Sequence, residues 1–223
     1  PNAYSFELFC IQRWFVASDF CKKNNIGDFL ICDSDAFLFC DADEEYRKYT
    51  GYDFTICRTG TPCFVYFTCE KLQKFTEYIM WCYSSAEGRQ RIDRYAEYLK
   101  ENNKRYGISD MSSFVAYEKF GGAKVAHVDV PDENNIAYDH NFQDPKDGYV
   151  MVNGYKRIAW IDKKPYEFLV SGNTAIEMKG IHLQGISKLQ MHKIIPFRLW
   201  RRSFFPYLKE YMSFVLNKKS HKS

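Results

Sequence analysis

Short apolar runs separated by acidic residues are the clearest pattern in the chain. Residues 29–32 are Phe-Leu-Ile-Cys, residues 33–35 are Asp-Ser-Asp, and residues 36–39 are Ala-Phe-Leu-Phe. A run this short, rich in β-branched and aromatic residues, predicts a strand that is buried on both faces of a sheet. Carboxylates buried without partners are destabilising, so we place Asp33 and Asp35 at the carboxyl end of this strand, where open α/β sheets bind their ligands.

A helical pattern precedes this strand. Residues 4–24 predict an amphipathic helix, with Phe9, Trp14 or Phe15, and Phe20 on its apolar face. Its one arginine, Arg13, is interpreted as solvated, and a position facing the strand end is the alternative.

The rest of the chain divides into helices followed by strands. Helices are predicted at 70–83 and 89–105 and from 108 onward, and strands are predicted at 54–57, 63–67, 125–130, 149–152, 156–161, 166–170 and 175–183. The polar stretch 134–148 is interpreted as a solvated loop, and its Asp139-His140 pair as part of that loop rather than a metal site. This order of elements predicts an α/β fold in one domain that spans residues 1–223.

Composition narrows the class of protein. Hydrophobic residues make up 46% of the chain and charged residues 26%, which is typical of a globular protein. No stretch approaches the roughly 18 apolar residues of a membrane span, and no secretory signal or nucleic-acid-binding motif is present. All eight cysteines lie in the first 82 residues without a Cys-x-x-Cys pair, so we predict reduced, buried thiols and a cytoplasmic location.

The charge is unevenly distributed. Residues 188–223 carry nine Lys or Arg and a single acid, Glu210, for a formal charge of +8, whereas the whole chain carries +3. We interpret this segment as a C-terminal helix packed by its aromatic residues. Peripheral contact with a membrane surface is the alternative.

Two aspartates one residue apart at a strand end can bind a hard divalent cation such as Mg²⁺ or Mn²⁺. A surface turn with two solvated carboxylates is the alternative reading of Asp33 and Asp35. A second pair, Asp41 and Asp43, also follows apolar residues, but the polar residues after it suit a solvated loop or a helix start.

A second motif, near the other end of the chain, favours the cation site. Residues 181–188 are Ile-His-Leu-Gln-Gly-Ile-Ser-Lys, which place His182, Gly185 and Lys188 in a His-x-x-Gly-x-x-Lys pattern. A neutral imidazole can join two carboxylates around Mn²⁺. Glycine lets the backbone approach a diphosphate closely, and lysine supplies a positive charge to phosphate oxygens.

An early Asp-x-Asp combined with a late His-x-x-Gly-x-x-Lys resembles the GT-A-fold glycosyltransferases, most of all the glycogenin- and galactosyltransferase-like members of family 8. The resemblance implies a GT-A-type central mixed sheet flanked by helices, and transfer of a hexose from a nucleotide sugar, a UDP-sugar, to a glycan or other hydroxyl acceptor. It implies that Asp33 contacts the ribose or the metal, and that Asp35 and His182 bind Mn²⁺ or Mg²⁺. It further implies that Gly185 and Lys188 bind the diphosphate.

The resemblance also bears on Asp110 and on the N-terminus. Many inverting GT-A enzymes place the carboxylate that deprotonates the acceptor at the position of Asp110; a helix cap is the structural alternative. Only 32 residues precede Asp33, too few for the first βα unit, which binds the base and the ribose in this family. We therefore expect part of the N-terminal nucleotide-binding region to be missing.

Two other functions remain open at the level of the sequence. A HAD-type phosphatase also has its nucleophile in an Asp-x-Asp after an apolar strand, but Phe37 stands where that family has Thr or Val. A degenerate transferase, retained as a non-catalytic sugar-nucleotide-binding or scaffold domain, is the alternative without catalysis.

Overall fold

The structure, a computed structural model, describes residues 4–101 and 109–191. Its helices are α1 (Tyr4–Lys23), α2 (Ala42–Tyr46), α3 (Cys69–Ser84), α4 (Ala86–Glu101) and α5 (Asp110–Phe120). Its strands are β1 (Asp28–Cys32), β2 (Ala36–Leu38), β3 (Phe54–Ile56), β4 (Phe64–Thr68), β5 (Val125–His127), β6 (Ile136–Asp139), β7 (Met151–Val152), β8 (Tyr155–Lys156), β9 (Ile158–Ile161), β10 (Lys164–Phe168) and β11 (Ala175–His182). The predicted mixed α/β class is confirmed. Of the predicted C-terminal helix or membrane-contact segment, residues 188–223, all but residues 188–191 lie outside the described residues.

The first group of strands carries the Asp-Ser-Asp segment. β1 pairs antiparallel with β4, and β3 pairs parallel with β5. The side chain of Thr55 joins the two pairs, because its hydroxyl donates to the carbonyl of Phe64 and accepts from the N–H of Tyr66. These two side-chain hydrogen bonds connect β3 to β4, which are not joined by a backbone ladder.

The second group of strands is organised by β11. This long strand pairs antiparallel with β10 near its start and with β2 near its end, and it runs parallel to β6. β9 extends the sheet beyond β10. Because β2 follows β1 after only three residues, this pairing brings the end of β11 to the Asp-Ser-Asp turn.

An aromatic core fixes α1 and α5 against β3 and β4. Trp14 is fully buried, and its ring lies 4.9 Å from that of Phe114 on α5. Phe75 on α3 stacks on Phe114 at 4.2 Å, and Phe54 and Phe67 complete the cluster. Burial of this much aromatic surface is the main reason that the two helices are held side by side.

The apolar face predicted for α1 is only partly correct. Trp14 is buried, whereas Phe9 and Phe20 are 69% and 58% exposed. The predicted spacings of five and six residues do not follow the three- and four-residue repeat of a helix face. Phe9 and Phe20 instead share a face with Val16, which is also exposed.

The prediction of a polar loop over 134–148 is wrong in its first part, because β6 occupies residues 136–139 and its last three residues are buried. In the same half of the chain, the predicted Asn153-Gly154 turn is confirmed. Both of these residues have positive φ, the conformation of a tight type I′ hairpin.

None of the helices within 4–101 and 109–191 combines the length and the apolar character that crossing a bilayer would require.

Candidate metal centre

Three side chains that can bind a metal ion meet at the ends of β1 and β11. Asp33 and Asp35 lie in the turn between β1 and β2, and His182 is the last residue of β11. The Nε2 atom of His182 lies 3.3 Å from Oδ1 of Asp35 and 3.7 Å from Oδ2 of Asp33. One ligand atom from each residue lies within 4.8 Å of the other two, a spacing that a single divalent cation can bridge.

Backbone hydrogen bonds hold this turn in place. The N–H of Leu183, just after β11, donates to the carbonyl of Asp35 at 2.9 Å. The N–H of Asp33 donates to the carbonyl of Cys63, just before β4, at 3.3 Å. The turn is therefore attached to both groups of strands, and the two carboxylates face His182 for that reason.

The environment of His182 orients its ring toward the carboxylates. Its Nδ1 lies 2.7 Å from the carbonyl oxygen of His140, to which it donates, so Nε2 is the atom directed at Asp33 and Asp35. Burial by itself would lower the pKa of His182, but its contacts with Cys63, with the His140 carbonyl and with Asp35 raise that pKa to about 9. A proton and a metal ion therefore compete for Nε2, and metal binding would release the proton.

The His-x-x-Gly-x-x-Lys motif also contacts the Asp-Ser-Asp turn through its lysine. Lys188 is in the short 3₁₀ helix Gly185–Gln190, and its Nζ lies 3.0 Å from Oδ2 of Asp35. Although partial burial opposes it, the hydrogen bond from Lys188 and the charge of His182 lower the pKa of Asp35. Gly185 has a φ of +62°, a conformation that side-chain-bearing residues rarely adopt, which accounts for glycine at this position.

Arg13 joins Asp110 to this group. Its Nη1 lies 2.7 Å from Oδ1 of Asp33, and its Nη2 lies 2.7 Å from Oδ2 of Asp110. The indole N–H of Trp14 also donates to Oδ2 of Asp110 at 3.2 Å. The interpretation of Arg13 as solvated is therefore wrong, and the alternative, that it faces the site, is confirmed.

Asp110 is a buried carboxylate at the start of α5. The N-cap of this helix is Ser109, which forms a reciprocal capping box with Ser112, so the reading of Asp110 as the cap is wrong. Burial raises the pKa of Asp110 even though Arg13 and Trp14 stabilise its ionised form. The structure thus brings Asp110 to the site through Arg13, but does not place it among the metal-ligand atoms.

The rival acidic pair has a structural role. Oδ1 of Asp41 accepts hydrogen bonds from the N–H groups of Asp43 and Glu44 and thereby caps α2. Asp43 lies in the first turn of that helix, where an acid complements the helix dipole. The preference for Asp33 and Asp35 as the paired carboxylates of the site agrees with this geometry.

The interpretation of Asp139 and His140 as part of a solvated loop is wrong. Both residues are buried, and with Asp147 they form a second group of potential ligand atoms within 4.8 Å of one another. The ammonium group of Lys156 contacts both Asp139 and Asp147. The same lysine lies over the ring of Tyr149.

Sequence reasoning missed three residues around these two groups. Cys63 contributes to the raised pKa of His182, and its sulfur lies 3.7 Å from that of Cys57. Lys156 and Glu167 are buried beside Asp139. A lysine after Tyr155 and a glutamate between Tyr166 and Phe168, both within predicted strands, were the available signal, because such residues are rarely buried without partners.

Comparison with known proteins adds no family assignment, because no family model and no curated protein matches the chain.

Proposed function

We propose that this protein is a metal-dependent glycosyltransferase that moves a hexose from a nucleotide sugar, a UDP-sugar, to a hydroxyl acceptor. One observation carries the proposal: Asp35 and His182, far apart in sequence, lie 3.3 Å apart, and Lys188 lies 3.0 Å from the same aspartate. Two motifs that resemble those of a diphosphate-binding metal site thus lie next to each other.

The residues present fit a divalent cation. Two carboxylates and an imidazole nitrogen suit Mn²⁺, and the hydrogen bond from Nδ1 to the His140 carbonyl directs the other nitrogen of His182 toward the ion. When bound, the ion supplies Lewis-acid neutralisation of charge on the leaving diphosphate.

The late motif would bind the diphosphate itself. The side chain of Lys188 is half exposed, so it can exchange its ion pair with Asp35 for one with a phosphate oxygen. Gly185 has no side chain of its own, and the amide Nε2 of Gln143 lies 3.3 Å from the position that a Cβ atom would take, so a phosphate that approached this backbone would meet an amide donor. Both contacts stabilise negative charge that grows as the glycosidic bond breaks.

Asp110 is the candidate base for an inverting reaction. Its raised pKa suits a group that accepts a proton from an acceptor hydroxyl. Both of its oxygens already accept hydrogen bonds, from Arg13, Trp14 and the N–H of Met111. Release by Arg13 would therefore have to accompany the proton transfer, and Arg13 would then be free to contact the donor sugar.

Thermal unfolding with Mn²⁺, with UDP and with both together tests the proposal. We expect UDP to raise the melting temperature only when Mn²⁺ is present, by about 5–10 °C at a hundredfold excess over Kd. Asp35→Asn should abolish this shift. Asp41→Asn, the same change in the rival pair, should retain it, because asparagine also caps a helix.

Other outcomes would assign a different function. Stabilisation by beryllium fluoride without UDP would support the phosphatase. Binding of UDP and Mn²⁺ without hydrolysis or transfer from any of a panel of UDP-hexoses would support the scaffold domain. Equal loss of the shift in Asp35→Asn and Asp41→Asn would contradict the assigned site.

A further inference from the structure

A second buried polar group is connected to the candidate metal centre through His140. Asp139, at the end of β6, has no exposed side-chain surface, and Lys156 has 1%. Asp147 is 13% exposed, and its Oδ2 lies 3.4 Å from Nδ1 of His140. Glu167 on β10 is fully buried, and neither of its oxygens has a hydrogen-bond partner among the described residues. We refer to Asp139, His140, Asp147 and Lys156 as the Lys156 cluster.

The Lys156 cluster already contains a cation. The ammonium of Lys156 contacts Oδ1 of Asp139 and Oδ2 of Asp147, the same two carboxylates that would bind a metal there. A buried ammonium between two carboxylates neutralises much of their charge, so a divalent ion at this point would be repelled by the lysine. The cluster therefore has the chemistry of a charge network rather than of a second metal site.

Two connections lead from this cluster to His182. The first runs through His140, whose ring lies against Asp147 and whose carbonyl accepts the hydrogen bond from Nδ1 of His182 at 2.7 Å. The second runs through the backbone: the N–H of Lys156 donates to the carbonyl of Phe142, and the N–H of Phe142 donates to the carbonyl of His182. Both connections hold the segment after β6 against the end of β11.

We propose that Lys156 is a positioning residue for the metal ligand His182. Its ammonium draws Asp139 and Asp147 together around residues 140–142, and the carbonyl of His140 then fixes the ring orientation of His182 and the proton on its Nδ1. Outer groups of this kind tune metal affinity by 10- to 100-fold in other metal sites. This inference rests on the proposed function only in assuming that His182 binds a metal ion.

Manganese affinity and the tautomer of His182 together test the inference. Lys156→Met removes the ammonium and keeps most of the side-chain volume. We expect Mn²⁺ to bind 10- to 100-fold more weakly than to the natural chain, as measured by electron paramagnetic resonance of the free ion. Long-range ¹H–¹⁵N spectra of the histidine rings, recorded without metal at a pH above the pKa of about 9 of His182, where its ring is neutral, should show His182 protonated at Nδ1 in the natural chain and a mixture of tautomers in the variant.

A second lysine-to-methionine change, on β10, separates positioning from general destabilisation. Lys164→Met also removes a lysine that pairs with a carboxylate, Glu177, but Glu177 keeps its contact with Lys179, so affinity and tautomer should not change. If Lys156→Met fails to fold, Asp147→Asn provides a milder test, with an expected 3- to 10-fold loss of affinity.

Three outcomes would refute, respectively, the positioning role of Lys156, the reading of the Lys156 cluster as a charge network, and the proposed function. Natural affinity and an unchanged His182 tautomer in a folded Lys156→Met or Asp147→Asn variant would refute the positioning role. Two Mn²⁺ ions per chain, one of them lost in Asp147→Asn, would show that the cluster is itself a metal site. Failure of the natural chain to bind Mn²⁺ would refute the proposed function, and the tautomer measurement would still decide the positioning role.

Discussion

At the scale of single residues, Arg13 connects a candidate metal ligand to a carboxylate that is not itself a ligand. One guanidinium bridges an aspartate of the Asp-x-Asp turn and a carboxylate that lies 97 positions further along the chain from Arg13. The planar fork of arginine allows two ion pairs at 2.7 Å at once, which a lysine could not form in the same geometry. Arg13 also lies 4.8 Å from the ring centre of Trp14, so it is anchored to the aromatic core.

We predict that Arg13→Met destabilises the protein through Asp110. The variant leaves a nearly buried carboxylate with only the N–H groups of Trp14 and Met111, which should lower the free energy of unfolding by about 2–3 kcal/mol. Urea unfolding measures this change. Adding Asp110→Asn to Arg13→Met should recover part of the loss, because the uncompensated charge is then gone.

An exposed pair on the same helix provides the control. Lys23 and Asp19 form an ion pair in which both side chains are more than two-thirds exposed, so Lys23→Met should leave stability unchanged within error. If Asp110→Asn gave no recovery in the Arg13→Met background, the loss would have to come from packing of the arginine stem rather than from charge.

At the scale of elements, β11 is the strand on which the site depends, and it has an irregularity just before His182. The parallel register with β6 shifts between Met178 and Gly180. A Cβ atom at Gly180 would lie 2.6 Å from the ring of Phe64 and 2.7 Å from that of Tyr138. Glycine is therefore required here for close approach of the two groups of strands, rather than for its backbone conformation.

Gly180→Ala tests this dependence. The methyl group can be accommodated only by displacement of two buried rings, so we expect a loss of about 1–3 kcal/mol, typical of overpacked cores. Scanning calorimetry should show a melting temperature about 2–10 °C lower. Gly27→Ala is the control, because nothing lies within 4 Å of the added methyl group and stability should hardly change. Equal effects of the two substitutions would contradict the close-approach argument.

At the scale of the whole molecule, the sequence predicted the elements with strong local patterns. The helix over α3 was predicted correctly because Leu72, Phe75, Ile79 and Cys82 follow a helical repeat, and all four are buried. The last strand, β11, was predicted to within one residue because its sequence also has a strong local pattern. Asp33, Asp35 and His182 were grouped from motif order, and the structure brings them together.

What the sequence could not predict depends on contacts between distant segments. Residues 136–139 look like part of a polar loop, because the residues around them are Asn, Asp and Gln; only pairing with β11 makes them a strand. Asp139 and His140 were assigned to solvent because the lysine that accompanies them lies 17 residues after Asp139. Long-range ion pairs leave no periodicity in a sequence. For that reason the sequence analysis missed Lys156, and it gave the site-facing position of Arg13 only as the alternative.

Glu167 is a buried acid without a hydrogen-bond partner among the described residues, and it predicts how stability changes with pH. Complete burial raises its pKa well above the ordinary value, and the carboxylate of Asp139 raises it further. The folded state therefore keeps a proton on Glu167 at pH values where the unfolded chain, with a pKa near about 4.3, has lost it. Because the folded state binds more protons, this residue lowers stability progressively as the pH rises above about 4.3.

Glu167→Gln replaces the neutral acid by an amide of the same shape and removes this proton dependence. The variant should match the natural chain near pH 4.5 and exceed it at pH 7.5 by about 4–8 °C in melting temperature, which corresponds to about 2 kcal/mol for a chain of this length. Glu133→Gln makes the same change of charge at an exposed position, so its difference from the natural chain should not vary with pH. If the melting temperatures of Glu167→Gln and the natural chain differed by the same amount at every pH in this range, the carboxyl group of Glu167 would be ionised in the folded protein. Lys156 would then neutralise three carboxylates rather than two.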